Sequence, residues 1–278
     1  HAKDSGRGNR QFYQPGMDVH ATDVLQQERQ LREAIASNAF VLHYQPQISL
    51  ADGSLKGFEA LVRWRHPERG LLGPDKFITF SESRGLITPI GRWVMHEACR
   101  QLKAWQDEGL AMVPVAVNLS ALEFRQRDVA GELAAVLHAT GLEPRFLEIE
   151  LTESVLMHHT GQVLETLNAI KALGVGVTID DFGTGYSSLA YLKRYPIDKL
   201  KIDRSFVMDT PQSADDVAIV TAIIQMGHSL QLKTVAEGVE TVEQKELLHR
   251  LGCDLVQGFL VSAPMDAQAT QRWLSPQG

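Results

Sequence analysis

Only two cysteines occur in the 278 residues, Cys99 and Cys253, and they stand far apart in the chain. That excludes a disulfide framework and a cysteine-rich zinc cluster, and it suits a reducing compartment, so a cytoplasmic location is expected. Cys253 reads as a core residue. No apolar run approaches the roughly 20 residues needed to cross a bilayer, and the opening stretch HAKDSGRGNRQFYQPGMD has no apolar signal core. No membrane contact by this domain is expected, although a parent protein could be tethered through upstream segments. Positive charge is also scarce. Lys and Arg number 27 against 34 Asp and Glu, a formal charge of -7 with a pI near 5.8. Such a balance argues against gripping a nucleic-acid polymer through many phosphates, but leaves room for a small anion held by metal ions. Low-complexity segments and repeats of fixed period are absent too. The ten histidines form no HExxH arrangement, and adjacent His158 and His159 cannot present both rings on one helical face. Ser187 and Ser188 lack a nearby His with an orienting acid, which speaks against serine hydrolysis.

What is present suits one large α/β domain, since 44% hydrophobic residues can build a substantial core. Residues 1–17 do not read as part of it. LQQERQLREAIA then sets Leu25, Leu31 and Ile35 among charges, predicting an amphipathic helix within 18–38. Eight strand-like runs follow within 39–278, beginning at Phe40, Leu55, Val113, Phe146, Gly176, Lys199, Leu232 and Asp254. Helix signals separate most of them. Pro74 after Gly73 suits a first helical position, Ser120/Glu123 and Thr241/Gln244 have capping-box spacing, and Gly174 and Gly252 suit C-terminal caps. From Val113 onward the alternation is that of parallel βαβ units, and about eight in 250 residues make a closed barrel. Only ISLADGS joins the first two strands, and its Ala51-Asp52-Gly53 reads as a hairpin turn. The predicted fold is therefore a TIM-like (β/α)8 barrel with its first strand antiparallel.

Polar residues interrupt these apolar strands at one recurring place. Glu59, Asn118, Glu150, Asp180, Asp181, Lys201, Glu237 and Gln257 each fall at or near the C-terminal end of a predicted strand, and in a barrel those ends converge on one mouth. One strand-end acid is ordinarily a helix cap or a solvated charge, and one lysine a surface lysine. A ring of carboxylates from several strands is different, because buried like charges repel unless cations join them. Carboxylates and an amide oxygen are hard ligands that suit Mg²⁺ or Mn²⁺, and two such ions about 3.5 to 4 Å apart serve displacement at phosphorus. Asp180 and Asp181 are placed so that one of them could bridge two ions. Gly183 and Gly185 in DDFGTGYSS fit any loop with unusual dihedrals, and beside the Asp pair they read as a loop coupling the site to the surface.

Seven runs in order, EALVRW, VNLS, EIELTES, TIDDFGTGYSSL, LKIDRSF, AEGVET and QGFLVSAP, resemble the EAL phosphodiesterase family across residues 39–266. That resemblance implies a modified triose-isomerase-type barrel and hydrolysis of cyclic di-GMP to linear pGpG in bacterial signalling. It further implies Glu59, Asn118, Glu150 and Asp180 as ligands of a first divalent ion, with Asp180 bridging to a second held by Asp181 and Glu237. By the same likeness Lys201 orients the attacking water, Glu237 is ligand or base, and Gln257 positions water or metal. Gln45 and Arg63 hold nucleotide and phosphate, and Glu153 anchors the DFGTGYSS loop. The cofactors implied are two Mg²⁺ or Mn²⁺ ions, with Ca²⁺ inhibitory. Ala263 departs from the family, which often carries a basic residue there.

Two other function classes remain to be weighed: an inactive cyclic di-GMP receptor, and an unrelated metal-dependent barrel enzyme of aldolase or enolase type. Receptors of this family typically lack metal ligands or the lysine, and the lyase reading explains neither Asn118 nor the paired Asp. KDSGRGNRQFYQPGM resembles the end of a GGDEF diguanylate cyclase domain, so residues 1–17 are expected to be the remnant of such an upstream domain, with His1 a tag scar. Family resemblance also implies a homodimer through the segment near Ser188 to Tyr195.

Overall fold

The computed structural model describes residues 17–157, 160–185 and 192–275. The remnant expected at 1–17 thus lies almost wholly outside the described residues, as do His158, His159, Ser187 and most of the expected dimer segment. Helix α1 (Met17–Ala36) leads into two long strands, β1 (Phe40–Ser49) and β2 (Leu55–His66). Leu31 and Ala34 of α1 bury fully against the barrel, whereas Leu25, expected on the same face, is 67% exposed. Their turn is closed by Asp52, whose Oδ1 accepts from Ser54 N and Oγ at 3.1 and 2.6 Å, with Gly53 in the left-handed region at φ 70°. The strands pair antiparallel in the register Gln45 to Glu59.

Six further parallel strands complete the barrel: β4 (Val115–Leu119), β5 (Leu147–Thr152), β6 (Gly176–Phe182), β7 (Lys199–Ile202), β8 (Lys233–Ala236) and β9 (Leu255–Val256). Ladders run β2-β4-β5-β6-β7-β8-β9, and β1 closes the ring by pairing antiparallel with both β9 and β2. The closed α/β barrel with one reversed strand is therefore the observed fold. Two details differ from expectation. A short β3 (Gly70–Leu72) pairs with the far end of β2, and the ladder of β9 stops at Val256, so Gln257 stands just beyond it.

Around the barrel lie α2 (Ile78–Ser83), α3 (Ile87–Asp107), α4 (Ala121–Gln126), α5 (Val129–Thr140), α6 (Thr160–Ala172), α7 (Arg204–Val207), α8 (Ala214–Ser229), α9 (Val242–Arg250) and α10 (Ala267–Leu274). Ser120 with Glu123 and Thr241 with Gln244 both form complete capping boxes. Pro74 begins a single 3-10 turn instead of an α-helix. Gly174 and Gly252 take φ 89° and 85°, where a Cβ would be strained.

Alternation along the strands explains how one fold makes a core and a site. Val115, Val117, Leu147, Ile149, Leu151, Val177, Ile179, Leu200 and Ile202 are buried and face the helices, forming the main core between the two layers. The opposite faces, which point into the barrel, carry Glu148, Glu150, Thr178, Asp180, Lys199 and Lys201 in matching register. At the floor Lys199 Nζ grips both oxygens of Glu148 at 2.8 and 2.7 Å. The barrel interior is thus unusually polar, and its charge collects toward the mouth.

Candidate active site

Lys201, wholly buried, is the centre of the mouth. Its ammonium lies 2.6 Å from Glu237 Oε1, 2.8 Å from Glu150 Oε2 and 3.2 Å from both Glu59 Oε2 and Asp180 Oδ1. Burial alone would lower the lysine pKa, but the surrounding carboxylates reverse the sign and hold it well above the usual value. Their own burial raises Glu150 well above the normal carboxylate range and Glu237 to about 8. Glu59 goes the other way. Its burial opposes ionisation, yet the Lys201 charge and hydrogen bonds from Gln257, Asn118 and Lys201 outweigh it.

Glu59 is not at the end of its strand, as expected, but well inside the twelve-residue β2, which continues past the mouth as a rim. Its Oε1 accepts from Asn118 Nδ2 at 2.6 Å and its Oε2 from Gln257 Nε2 at 2.6 Å. Gln257 Nε2 also reaches Gln45 Oε1 at 3.0 Å, and Gln45 Nε2 donates to the Ser262 carbonyl at 3.1 Å. Asp181 solves a geometric problem. Adjacent residues of a regular strand point to opposite faces, but Asp181 adopts φ 52° where the β6–β7 register shifts. Its carboxyl can then join Asp180 and Glu237 in one group. Burial first, then the Asp180 and Asp203 charges, push its pKa up to about 6.

The acids fall into two groups whose oxygens approach within 4.8 Å: Glu59, Glu150 and Asp180, and Asp180, Asp181 and Glu237. Asp180 belongs to both. Five carboxylates and one ammonium leave four negative charges when all are ionised, the charge of two divalent cations with opposite sign. Glu150 Oε1 is buried and has no hydrogen-bond partner among the described residues. An orphaned carboxylate oxygen among hard oxygen donors fits a resident divalent metal pair, with Asn118 able to turn its amide oxygen inward.

Other expected residues lie farther out. Arg63 shares the inward face of β2 with Glu59, four residues nearer the rim, and its Nη1 donates to the Val62 carbonyl at 3.0 Å. Partial burial lowers its pKa, opposed by the Glu59 and Asp75 charges. Glu153 does not touch the acid cluster. Its Oε2 accepts from Gly183 N and Gly185 N at 3.1 and 3.3 Å. A Cβ on Gly185 would stand 2.7 Å from Glu153 Oε1, so that glycine is what lets the loop settle on the carboxylate.

Two rim residues escaped the sequence reading. His43 stands on the inward face of β1, two residues above Gln45, with Nδ1 3.4 Å from the Pro264 carbonyl. Phe259 follows Gln257 by two residues and is 66% exposed. Strand alternation from Gln45 could have found the first, and an apolar ring beside a polar strand end the second. A cavity of about 400 Å³ opens beside Asn118, lined among others by Leu61, Asp75, Ile78, Ile90 and Thr152.

The EAL domain family model matches residues 28–264. This chain belongs to the EAL domain family. It is 48% identical over 268 residues to a Pseudomonas aeruginosa protein named bifunctional diguanylate cyclase/cyclic di-GMP phosphodiesterase MucR, covering 96% of this chain and 39% of that one. To the cyclic di-GMP phosphodiesterase NbdA of the same organism it is 47% identical over 273 residues, covering 98% and 35%. The EAL chain therefore spans well under half the length of these curated relatives. Among solved structures it superposes on the PaMucR phosphodiesterase in its c-di-GMP complex with a TM-score of 0.85, at 48% identity, covering 88% of this chain and 99% of that one.

Proposed function

We propose that this EAL domain hydrolyses cyclic di-GMP to linear pGpG with two divalent ions, Mg²⁺ or Mn²⁺. The observation that carries the reading is the pair of acid groups sharing Asp180 around a buried Lys201. The names of MucR and NbdA and the ligand of the PaMucR structure supply the substrate. Glu59, Asn118, Glu150 and Asp180 would hold one ion, and Asp180, Asp181 and Glu237 the other. When bound, the ions supply positive charge to the phosphate oxygens and ease deprotonation of the attacking water.

The chain's own residues do the rest. Lys201 Nζ, fixed by four carboxylates, donates toward the water and offsets charge gathering on phosphorus in the transition state. Glu237, with one oxygen on Lys201, is placed to take a proton. Arg63 presents a fork for a phosphate, Gln45 offers its amide to the nucleotide, and Gln257 holds Glu59 in place. Phe259 offers a ring face for a base to stack on, and Asp75, in the lining of the adjoining cavity, an acceptor for guanine N–H groups. Glu153 holds the 183–185 loop in place.

We place the domain in the cytoplasm. Among the described residues no helix is long and apolar enough to cross a membrane. Residues 1–17 are assigned to the end of an upstream GGDEF domain, with 18–38 as linker helix and 39–278 as catalytic barrel, in line with the bifunctional name of MucR. A homodimer through the segment near Ser188 to Tyr195 belongs to the same reading. The test is chromatography of cyclic di-GMP incubated with the protein and Mg²⁺. Linear pGpG is the expected product, and bound but unaltered nucleotide would identify a receptor instead.

A further inference from the structure

Gln47 belongs to none of the roles given above, yet it is 2% exposed and carries a polar amide deep inside the barrel. Its Nε2 donates to Gln257 Oε1 at 2.9 Å. The direction of that bond is fixed by chemistry. An ionised Glu59 carboxylate only accepts, so Gln257 must turn its NH₂ toward Glu59 Oε2 and its carbonyl oxygen the other way. The second N–H of that NH₂ is taken by Gln45 Oε1, which leaves Gln257 Oε1 needing a donor, and Gln47 is the donor. Were Gln257 to flip, its oxygen would face the Glu59 carboxylate and Gln45 Oε1 and its NH₂ the Gln47 donor, three repulsive contacts replacing three attractive ones.

The sequence sets the stage for this. β1 runs from the mouth down to the floor, so Gln47 lies one inward layer below Gln45, roughly 7 Å deeper, opposite Gly57 in the β1–β2 register. A Cβ at Gly57 would crowd the Pro114 carbonyl at 3.1 Å, while its 3.5 Å distance to Gln47 Oε1 would be an ordinary contact. From there the link of Gln47 to the acid groups runs through Gln257.

We propose that Gln47 is a positioning residue: through Gln257 it fixes Glu59 Oε2, and so sets the orientation in which Glu59 Oε1, beside Asn118, faces the metal site. The proposal rests on the two-metal reading of the mouth but is tested apart from turnover. Removing an outer hydrogen-bond partner of a metal ligand commonly weakens metal affinity by roughly 10-fold or more. Mn²⁺ binding is measured by calorimetry on the metal-free protein for Gln47→Leu, Gln257→Leu and the double variant, with kcat and KM alongside.

Gln47→Leu keeps the volume, removes the donor, and is expected to weaken Mn²⁺ about 10-fold and lower kcat while leaving KM near the parent value. In the Gln257→Leu background the same change should add nothing, because its path to Glu59 has gone. Parent-like Mn²⁺ affinity in Gln47→Leu, or losses that simply add in the double variant, would overturn the role. A parent protein that binds Mn²⁺ yet leaves cyclic di-GMP intact would instead sink the phosphodiesterase reading alone.

Discussion

Lys201 Nζ lies 2.8 Å from Glu150 Oε2, and both groups are buried almost completely. In the absence of metal, this ammonium is, among the described residues, the cation that four of the acids share. Lys201→Ala is expected to destabilise the metal-free protein by about 3 to 5 kcal/mol, the usual cost of removing one partner from a buried charge pair. Saturating Mn²⁺ should recover a larger share of Tm in the variant than in the parent. Thermal melts with and without the ion check this, and equal metal-induced shifts in both proteins would count against it.

Binding and chemistry should separate. Lys201→Ala and Glu237→Ala remove groups assigned to the transition state, so cyclic di-GMP should still bind while turnover collapses. Arg63→Ala removes a charged contact present before reaction as well, a loss of about 1.5 to 3 kcal/mol seen mainly as weaker binding. Calorimetry against single-turnover rates distinguishes the two classes. Parent-rate cleavage by Lys201→Ala would end the role assigned to the lysine.

Calcium should occupy the acid groups and inhibit. It is larger than Mg²⁺ and accepts irregular coordination, so it should not hold an attacking water in line. Activity assays with Mg²⁺, Mn²⁺ and Ca²⁺ in turn decide the point, and equal turnover with calcium contradicts the proposed geometry.

Metal binding should release protons at neutral pH. Burial raises Glu237 to about 8 and Asp181 to about 6, so at pH 7 the first is mostly protonated in the metal-free protein and the second mostly ionised. A raised carboxylate pKa means that the folded state binds the proton more tightly than the unfolded one. Its contribution to stability is therefore full below the unfolded value near 4.5 and declines as pH rises toward 8. The ion must displace that proton, so its affinity should rise with pH across the same window. Calorimetry at pH 7 in buffers of different ionisation enthalpy should show at least one proton released per protein, from Glu237 and from Glu150, whose burial also raises it, with the Glu237 share falling off by pH 9. A buffer-independent heat at pH 7 would contradict the assignment.

Glu153→Ala should free the 183–185 loop without unfolding the barrel, since among the described residues the carboxylate holds the Gly183 and Gly185 amides. Faster hydrogen exchange at those amides and a raised KM are expected. Parent kinetics with slow exchange would show that the loop holds itself.

Strand alternation and turn chemistry were legible before any coordinates. Asp52-Gly53 announced the hairpin, the VNL, EIEL and TID runs announced parallel strands, and the recurring polar residue at the strand ends announced a common mouth, because period-two patterning and turn residues act locally. Other features depended on tertiary contacts. Leu25 shows helical spacing like that of Leu31, but whether it is buried depends on which part of α1 the barrel covers. Glu59 reads as a strand-end residue, yet the β1–β2 pair continues past the barrel, a length set by cross-strand pairing. Asp181 should point away from Asp180 by strand geometry, and only a shift in β6–β7 register with a left-handed backbone brings the two together. The direction of the amide chain through Gln45, Gln47 and Gln257 was least visible of all. A glutamine's donor and acceptor ends are chosen by partners some 200 residues away, once folding has closed the ring against a single carboxylate.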